Sequence, residues 1–340
     1  MGRAGFNRKS ALATLTMVLA AEAADLDVLW DLKGPIVAFQ HHRGITHTFV
    51  AAPFVAAVTV GFVWLLCRWK RPSGQPRIVR SKLPVRWRYL YWAALIAAVS
   101  HILLDYTTAY GIRLFAPFNW RWYSWDIVFI IEPVILAVLI AGLTLPWLFG
   151  LVNEEIGARN QGPRGRGWAI CALVFMVVVW GHRDYQHRRA LNAISALLYQ
   201  NEAPVKMGAY PYWVNPFRWH GVVETDTLFQ TMVVDSSAPQ VDPQGKARTY
   251  FKPEETAVTL AAKTSYLGRV YLDWAVFPIT HVEPLQDDFK GNLVRFQDLR
   301  FSYPEARGRA TLGGWVLLGP DLRVQEEGMN SQKPSVGDGP

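Results

Sequence analysis

The sequence predicts an α-helical polytopic membrane domain of about four to five transmembrane helices, followed by a small β-rich soluble domain. Three observations carry this prediction. Long uncharged apolar runs lie only in the first half. A basic excess lies in the same half. After residue 181 the composition changes to short aromatic and β-branched segments between turn residues. Of 340 residues, 35 are Lys or Arg and 27 are Asp or Glu. Residues 1–181 hold 18 basic and 9 acidic side chains, and residues 182–340 hold 17 and 18. The excess is therefore local, which argues against a nucleic-acid-binding protein with a diffuse basic surface and against an ordinary single-domain cytosolic enzyme. Cys67 and Cys171 lie in or beside apolar runs, so neither a disulfide framework nor a cysteine zinc site is available.

A spanning helix needs roughly 20 mostly apolar residues at about 1.5 Å rise each. Thr48–Cys67 carries no charge, and Tyr89–Leu104 has His101 as its one ionisable group. Ile127–Leu151 is apolar apart from Glu132, and Trp168–Trp180 is short but uninterrupted. A weaker fifth run, Ala11–Leu29, ends in Glu22, Asp25 and Asp27 where a signal peptide would have a small-residue cleavage site, so it reads as a retained helix. Eleven of the fifteen Trp fall in this half, many at run ends, as in interfacial belts.

Orientation follows from the basic loops. Arg68–Arg88 has eight Lys or Arg and no acid: Arg68, Lys70, Arg71, Arg77, Arg80, Lys82, Arg86 and Arg88. Arg3, Arg8 and Lys9, and the segment 157–167 with Arg159, Arg164 and Arg166, fall on the same side by alternation. The positive-inside rule makes that side cytoplasmic. Asp31–His47 and Tyr106–Asp126 then face outward, and the polar half is extracytoplasmic.

Ionisable residues at membrane depth are costly and mark function by default. Asp25 and Asp27 close the first run, and His41, His42 and His47 precede the second. His101 and Asp105 end the third; Asp126 and Glu132 begin the fourth. All reach the outer layer. His101 and Asp105, four apart on a helix, share a face. His42 and His47 flank Gly44, where the backbone can turn sharply. Imidazole and carboxylate together suit a divalent metal such as zinc, as one to three ions. The proposed ligands are Asp25, Asp27, His42, His47, His101 and Asp105. Arg43 would stabilise charge on a phosphoryl or acyl oxygen, and Asp126 would accept a proton from water. Each piece has a plainer reading. A His-x-x-x-Asp pair can be a structural hydrogen bond, Asp25 and Asp27 can end a helix, and His42 and His47 can be interfacial decoration. Asp126 can be an N-cap, and Glu132 before Pro133 a capping carboxylate.

These same residues carry a resemblance. Asp25-Leu26-Asp27, His42-Arg43-Gly44-Ile45-Thr46-His47, His101-Ile102-Leu103-Leu104-Asp105 with Thr107 and Gly111, and Asp126 through Glu132-Pro133 look like the YdjM-type family. Its members are bacterial inner-membrane proteins regarded as metal-dependent hydrolases. The likeness runs over about residues 8–150, and His-Arg-Gly-x-Thr-His is its most specific element. The segment Asn215 to Thr225 is similar to an extension in one branch. The family resembles, more distantly, zinc-dependent phospholipases C and single-strand nucleases, which use His/Asp clusters with a His-x-x-x-Asp pair. That likeness implies His101 and Asp105 as ligands, joined by His47 and an aspartate of the Asp25/Asp27 pair. It also implies a bacterial inner-membrane location. One departure stands out: family members carry a Thr-His segment ahead of the first apolar run, and here no His precedes His41. The expectation is a true start upstream of Met1.

The chain divides into a membrane domain at 1–181, a juxtamembrane helix at 182–202, a β-rich domain at 203–324 and a disordered tail at 325–340. Strands are expected at Gly221–Val223, Thr227–Val234, Tyr266–Phe277, Val294–Phe301 and Arg309–Leu318, as a sandwich or partly open barrel. Arg218, His220 and Glu224 are polar candidates there, but a lone His beside Trp in a strand reads first as a packed residue. No Gly-x-Ser-x-Gly element or phosphate-cradling loop appears. The expected function is a metal-dependent hydrolase at the outer interface. Its partners are membrane lipids and a lipid-linked substrate, a phosphodiester by analogy, with no nucleic acid as main partner. The rival is a non-enzymatic membrane protein with a structural metal, whose β-rich domain binds a partner. A transporter fits less well, since the runs show no inverted repeat.

Overall fold

Alanine sets how closely the first helices approach. The computed structural model describes residues 1–69, 78–79, 81–155, 165–285, 290–303 and 312–330. In it, α1 (Ala13–Glu22) lies against α4 (Trp87–Tyr106), which also packs on α3 (Ala52–Arg68). Met17, Ala20, Ala56, Ala93, Ala94 and Ala97 form the buried seam. Small side chains let backbones come close where lipid supplies no hydrophobic drive, so packing itself holds the helices. On α3 the buried residues Ala52, Ala56, Thr59, Val63 and Cys67 make one stripe, while Phe54, Val58 and Leu65 are exposed. An apolar exposed face is what a bilayer would cover.

Two units compose the chain. The first comprises Met1–Asp27 and Arg43–Asp184; the second comprises Val28–His42 and Tyr185–Pro340. In the first, α5 (Pro133–Glu155) and α6 (Arg166–Ser195) follow the segment after α4. That segment is folded back on itself. Ile112 and Tyr123 exchange backbone N–H···O bonds at 2.9 Å, and the N–H groups of Ile127 and Val128 both reach the Thr107 carbonyl. Arg113 donates to the Trp120 carbonyl and lies over the Trp122 ring.

Among the described residues, two helices are long and apolar enough to cross a membrane, α4 and α6. They become three if Pro35–His47 and Ala52–Arg68 are counted as one broken span. Pro133–Phe149 is apolar but shorter. The first run gives less helix than expected. α1 stops at Glu22, and a 3₁₀ helix, Ala24–Lys33, carries the acidic stretch instead. A ten-residue helix rises only about 15 Å. Lys70, Arg71, Arg77, Arg80, Arg159 and Arg164 of the basic loops lie outside the described residues.

In the second unit, α6 runs on to Ser195 and delivers the chain to an antiparallel sheet. Its strands are β1 (Lys206–Pro211), β2 (Arg218–Glu224), β3 (Leu228–Asp235), β4 (Gln240–Val241) and β5 (Arg248–Phe251). After α7 (Ala257–Thr264) and α8 (Tyr266–Trp274) comes a four-stranded antiparallel sheet in the order β6-β7-β8-β9. These are β6 (Pro278–Pro284), β7 (Asn292–Asp298), β8 (Gly313–Leu318) and β9 (Val324–Met329). From the earlier part of the chain, α2 (Pro35–His41) joins this unit, with Phe39 against Tyr271 and Trp274.

Two expectations are corrected. Tyr266–Phe277 is helical up to Trp274, because Ser265 caps the Gly268 N–H and Leu267, Val270, Tyr271 and Trp274 fall on one buried face. The tail does not begin at 325: residues 324–329 pair with β8 as an edge strand. The rest of the expected tail, 331–340, lies outside the described residues.

Candidate metal centre

Four segments meet in the first unit, and each is held by a different local device. His101 and Asp105 ride one face of α4, whose packing on α1 and α3 fixes its height and rotation. His47 ends the short 3₁₀ turn Ile45–His47 and is fully buried. Asp25 lies in the first turn of the 3₁₀ helix Ala24–Lys33, with its side chain 49% exposed.

Their donor atoms converge. His47 Nε2 lies 3.3 Å from Asp25 Oδ1, 3.3 Å from His101 Nε2 and 3.4 Å from Asp105 Oδ2. His101 Nε2 lies 3.4 Å from Asp25 Oδ1 and 3.3 Å from Asp105 Oδ2. One ligand atom from each of the four residues lies within 4.8 Å of the others. A tetrahedron with arms of about 2.0–2.1 Å has edges of about 3.3–3.4 Å, which is the spacing of zinc-bound N and O donors. Five of the six edges here have that length. Asp105 Oδ2 is moreover buried and takes no hydrogen bond. A buried carboxylate oxygen without a donor is costly, and a cation removes the cost. The donor set therefore fits a divalent metal.

A second layer surrounds these donors. The Arg43 guanidinium meets Asp105 Oδ1 at 2.9 Å and donates to Thr108 Oγ1 at 2.8 Å, above the Tyr110 ring. Its backbone N–H donates to Asp27 Oδ2 at 2.7 Å. Asp27 Oδ2 also stands 3.5 Å from His47 Nδ1, and Thr46 Oγ1 lies 3.1 Å from that same nitrogen.

The structure thus brings together Asp25, His47, His101 and Asp105, with Asp27 and Arg43 behind them. His42 is the last residue of Val28–His42 in the second unit and is not one of the four converging residues. Asp126 is not among them either; it lies at a positive φ of 59° between Trp125 and Ile127, whose N–H groups pair with the end of α4. Glu132 is no simple cap. It accepts from Arg183 of α6 at 2.8 Å, and both side chains are buried. Thr108 and Tyr110 were not foreseen, although Thr108 stands only three residues beyond Asp105.

Comparison with known proteins gives the family. The family described as YdjM inner membrane protein matches residues 2–190. The chain belongs to that family. All four converging donors lie inside the matched segment, and the β-strands, from Lys206 onward, follow it as an extension. The Bacillus subtilis (strain 168) protein YfhP, described as uncharacterized, is 25% identical over 147 residues, which is 43% of this chain and 40% of that protein. No solved structure matches the chain.

The polar candidates of the second unit have structural partners. His220 Nε2 bonds the Leu299 carbonyl at 2.8 Å and the ring stacks on Tyr303. Arg218 covers the Tyr212 ring, and Glu224 pairs with Lys252 at 2.7 Å.

Proposed function

We propose that this YdjM-family protein is a membrane-bound metal-dependent hydrolase with one divalent ion, zinc by donor chemistry, held by Asp25, His47, His101 and Asp105. The carrying observation is the set of five donor separations at 3.3–3.4 Å. When bound, such an ion supplies a Lewis acid and a water of lowered pKa. The chain's own residues do the rest. The α4 face fixes two donors in register, and buried His47 excludes solvent from the inner side. Half-exposed Asp25 leaves the outer side open to substrate and water. Four to five crossings, with the basic loops cytoplasmic, would set this opening at the outer interface, where lipid headgroups lie. A phosphodiester of a lipid or lipid-linked molecule is the proposed substrate, and the β-rich unit would be extracytoplasmic.

A second reading rests on the same count of donors: four protein ligands can close a structural site. Purified full-length protein separates the two readings. With zinc, the hydrolase reading expects release of product from a phosphodiester ester and from phospholipid vesicles. Chelation, or the His101→Ala substitution, should stop it. Stoichiometric metal with no turnover on either substrate would favour the structural reading. Reporter fusions after Lys82 and after Glu202 should report opposite compartments; a shared compartment contradicts the topology.

A further inference from the structure

Asp27 and Arg43 carry contacts that the four converging donors do not account for. Asp27 lies two residues from Asp25 but is buried, and its Oδ2 accepts the Arg43 backbone N–H at 2.7 Å. The same oxygen faces the rear nitrogen of His47, Nδ1, at 3.5 Å. With an ion on Nε2, beside Asp25, His101 and Asp105, the ring hydrogen sits on Nδ1, and the Asp27 carboxylate, which only accepts, faces that nitrogen. The Thr46 hydroxyl at 3.1 Å from Nδ1 can accept from the same N–H.

Arg43 acts on the other side. Its guanidinium holds Asp105 Oδ1 at 2.9 Å, and the second oxygen, Oδ2, is the one turned to His47 and His101. The fork is fixed in turn by Thr108 and by the Tyr110 ring. Arg43 touches both acids, Asp27 through its backbone N–H and Asp105 through its guanidinium, and its backbone is left-handed, with φ 52°. That conformation is uncommon for a side chain of this size and persists where surroundings enforce it.

We propose that Asp27 and Arg43 are positioning residues that select the metal-facing atoms, Asp27 by fixing the Nδ1–H form of His47 and Arg43 by occupying Oδ1 of Asp105. The inference rests on the metal reading above. It gives Asp27 a role distinct from Asp25 and commits the Arg43 guanidinium to the site rather than to substrate. Outer partners of this kind are worth about 10–100-fold in metal affinity.

The test uses full-length protein in detergent, titrated with Co²⁺ against a chelating indicator, because Co²⁺ absorption reports both occupancy and coordination geometry. The variants are Asp27→Asn, Arg43→Gly and His101→Ala. Glycine suits the left-handed backbone, so Arg43→Gly removes the guanidinium without adding backbone strain. The expected result is one Co²⁺ per chain at saturation for wild type, Asp27→Asn and Arg43→Gly. The last two should bind about 10–100-fold more weakly, with a shifted absorption band. Reaching the same saturation also shows that these variants are folded. Wild-type affinity and band in either variant would overturn the proposal and leave the metal reading standing. Loss of the ion from Asp27→Asn even at saturation, as expected of His101→Ala, would make Asp27 a ligand and overturn it too. Wild type that takes up no Co²⁺ would overturn both.

Discussion

Arg183 of α6 donates to the Glu132 carboxylate at 2.8 Å, and the two side chains are 2% and 4% exposed. The pair ties the start of α5 to α6, while the neighbouring Asp184 accepts from the Trp125 indole. Removing one partner of a buried pair strands a charge, at a cost of about 3–5 kcal/mol. Glu132→Gln and Arg183→Met should each destabilise strongly. The double variant should lose clearly less than the sum, with a coupling of about 0.5–3 kcal/mol. A double-mutant cycle from detergent unfolding measures this, and additive losses would refute the coupling.

The alanine seam makes a second prediction. Ala93 and Ala94 are fully buried between helices, so Ala93→Leu should force α4 away from its neighbours. Overpacking of this kind costs about 1–3 kcal/mol. Because His101 and Asp105 ride the same helix, metal affinity should fall as well. Trp92→Leu, one residue earlier but 60% exposed, should change neither.

Tyr199 provides a pH test in the second unit. Its hydroxyl donates to the Ile194 carbonyl at 2.9 Å, and burial pushes the phenol up to about 12 from an ordinary 10.0. A raised native value means the protonated phenol's contribution is complete below 10 and is lost as pH rises from there through about 12. Thermal unfolding of full-length protein should therefore fall over that window more steeply for wild type than for Tyr199→Phe. Parallel curves would contradict the assignment.

The fold and the site were legible in unequal parts. His47, His101, Asp105 and Asp25 stood out together because several charged groups fall at the ends of apolar runs on one side, and a four-residue spacing fixes a helix face, although each alone also has a structural reading. The different placements of Asp25, half-exposed, and Asp27, buried, were not visible. They depend on a 3₁₀ turn that sends one side chain out and the other in, and two residues of spacing predicts no such split. Arg43 was singled out, but its pairing with Asp105 joins two distant segments and has no local signature. The Glu132–Arg183 pair spans 51 residues and has no local signature. In the second half, Tyr266–Trp274 is rich in aromatic residues and resembled a strand, although Ser265 and the spacing of Leu267, Val270, Tyr271 and Trp274 encode a capped amphipathic helix. The edge strand Val324–Met329 was masked by its acids, Glu326 and Glu327, which an exposed sheet edge tolerates.

A single metal ion held by His47, His101, Asp105 and Asp25 has a simple readout. Elemental analysis of purified full-length protein, wild type beside His101→Ala and Asp105→Ala, tests it most directly. One divalent ion per wild-type chain and substantial loss in both variants are expected. Equal metal in all three preparations, or none in any, would contradict it.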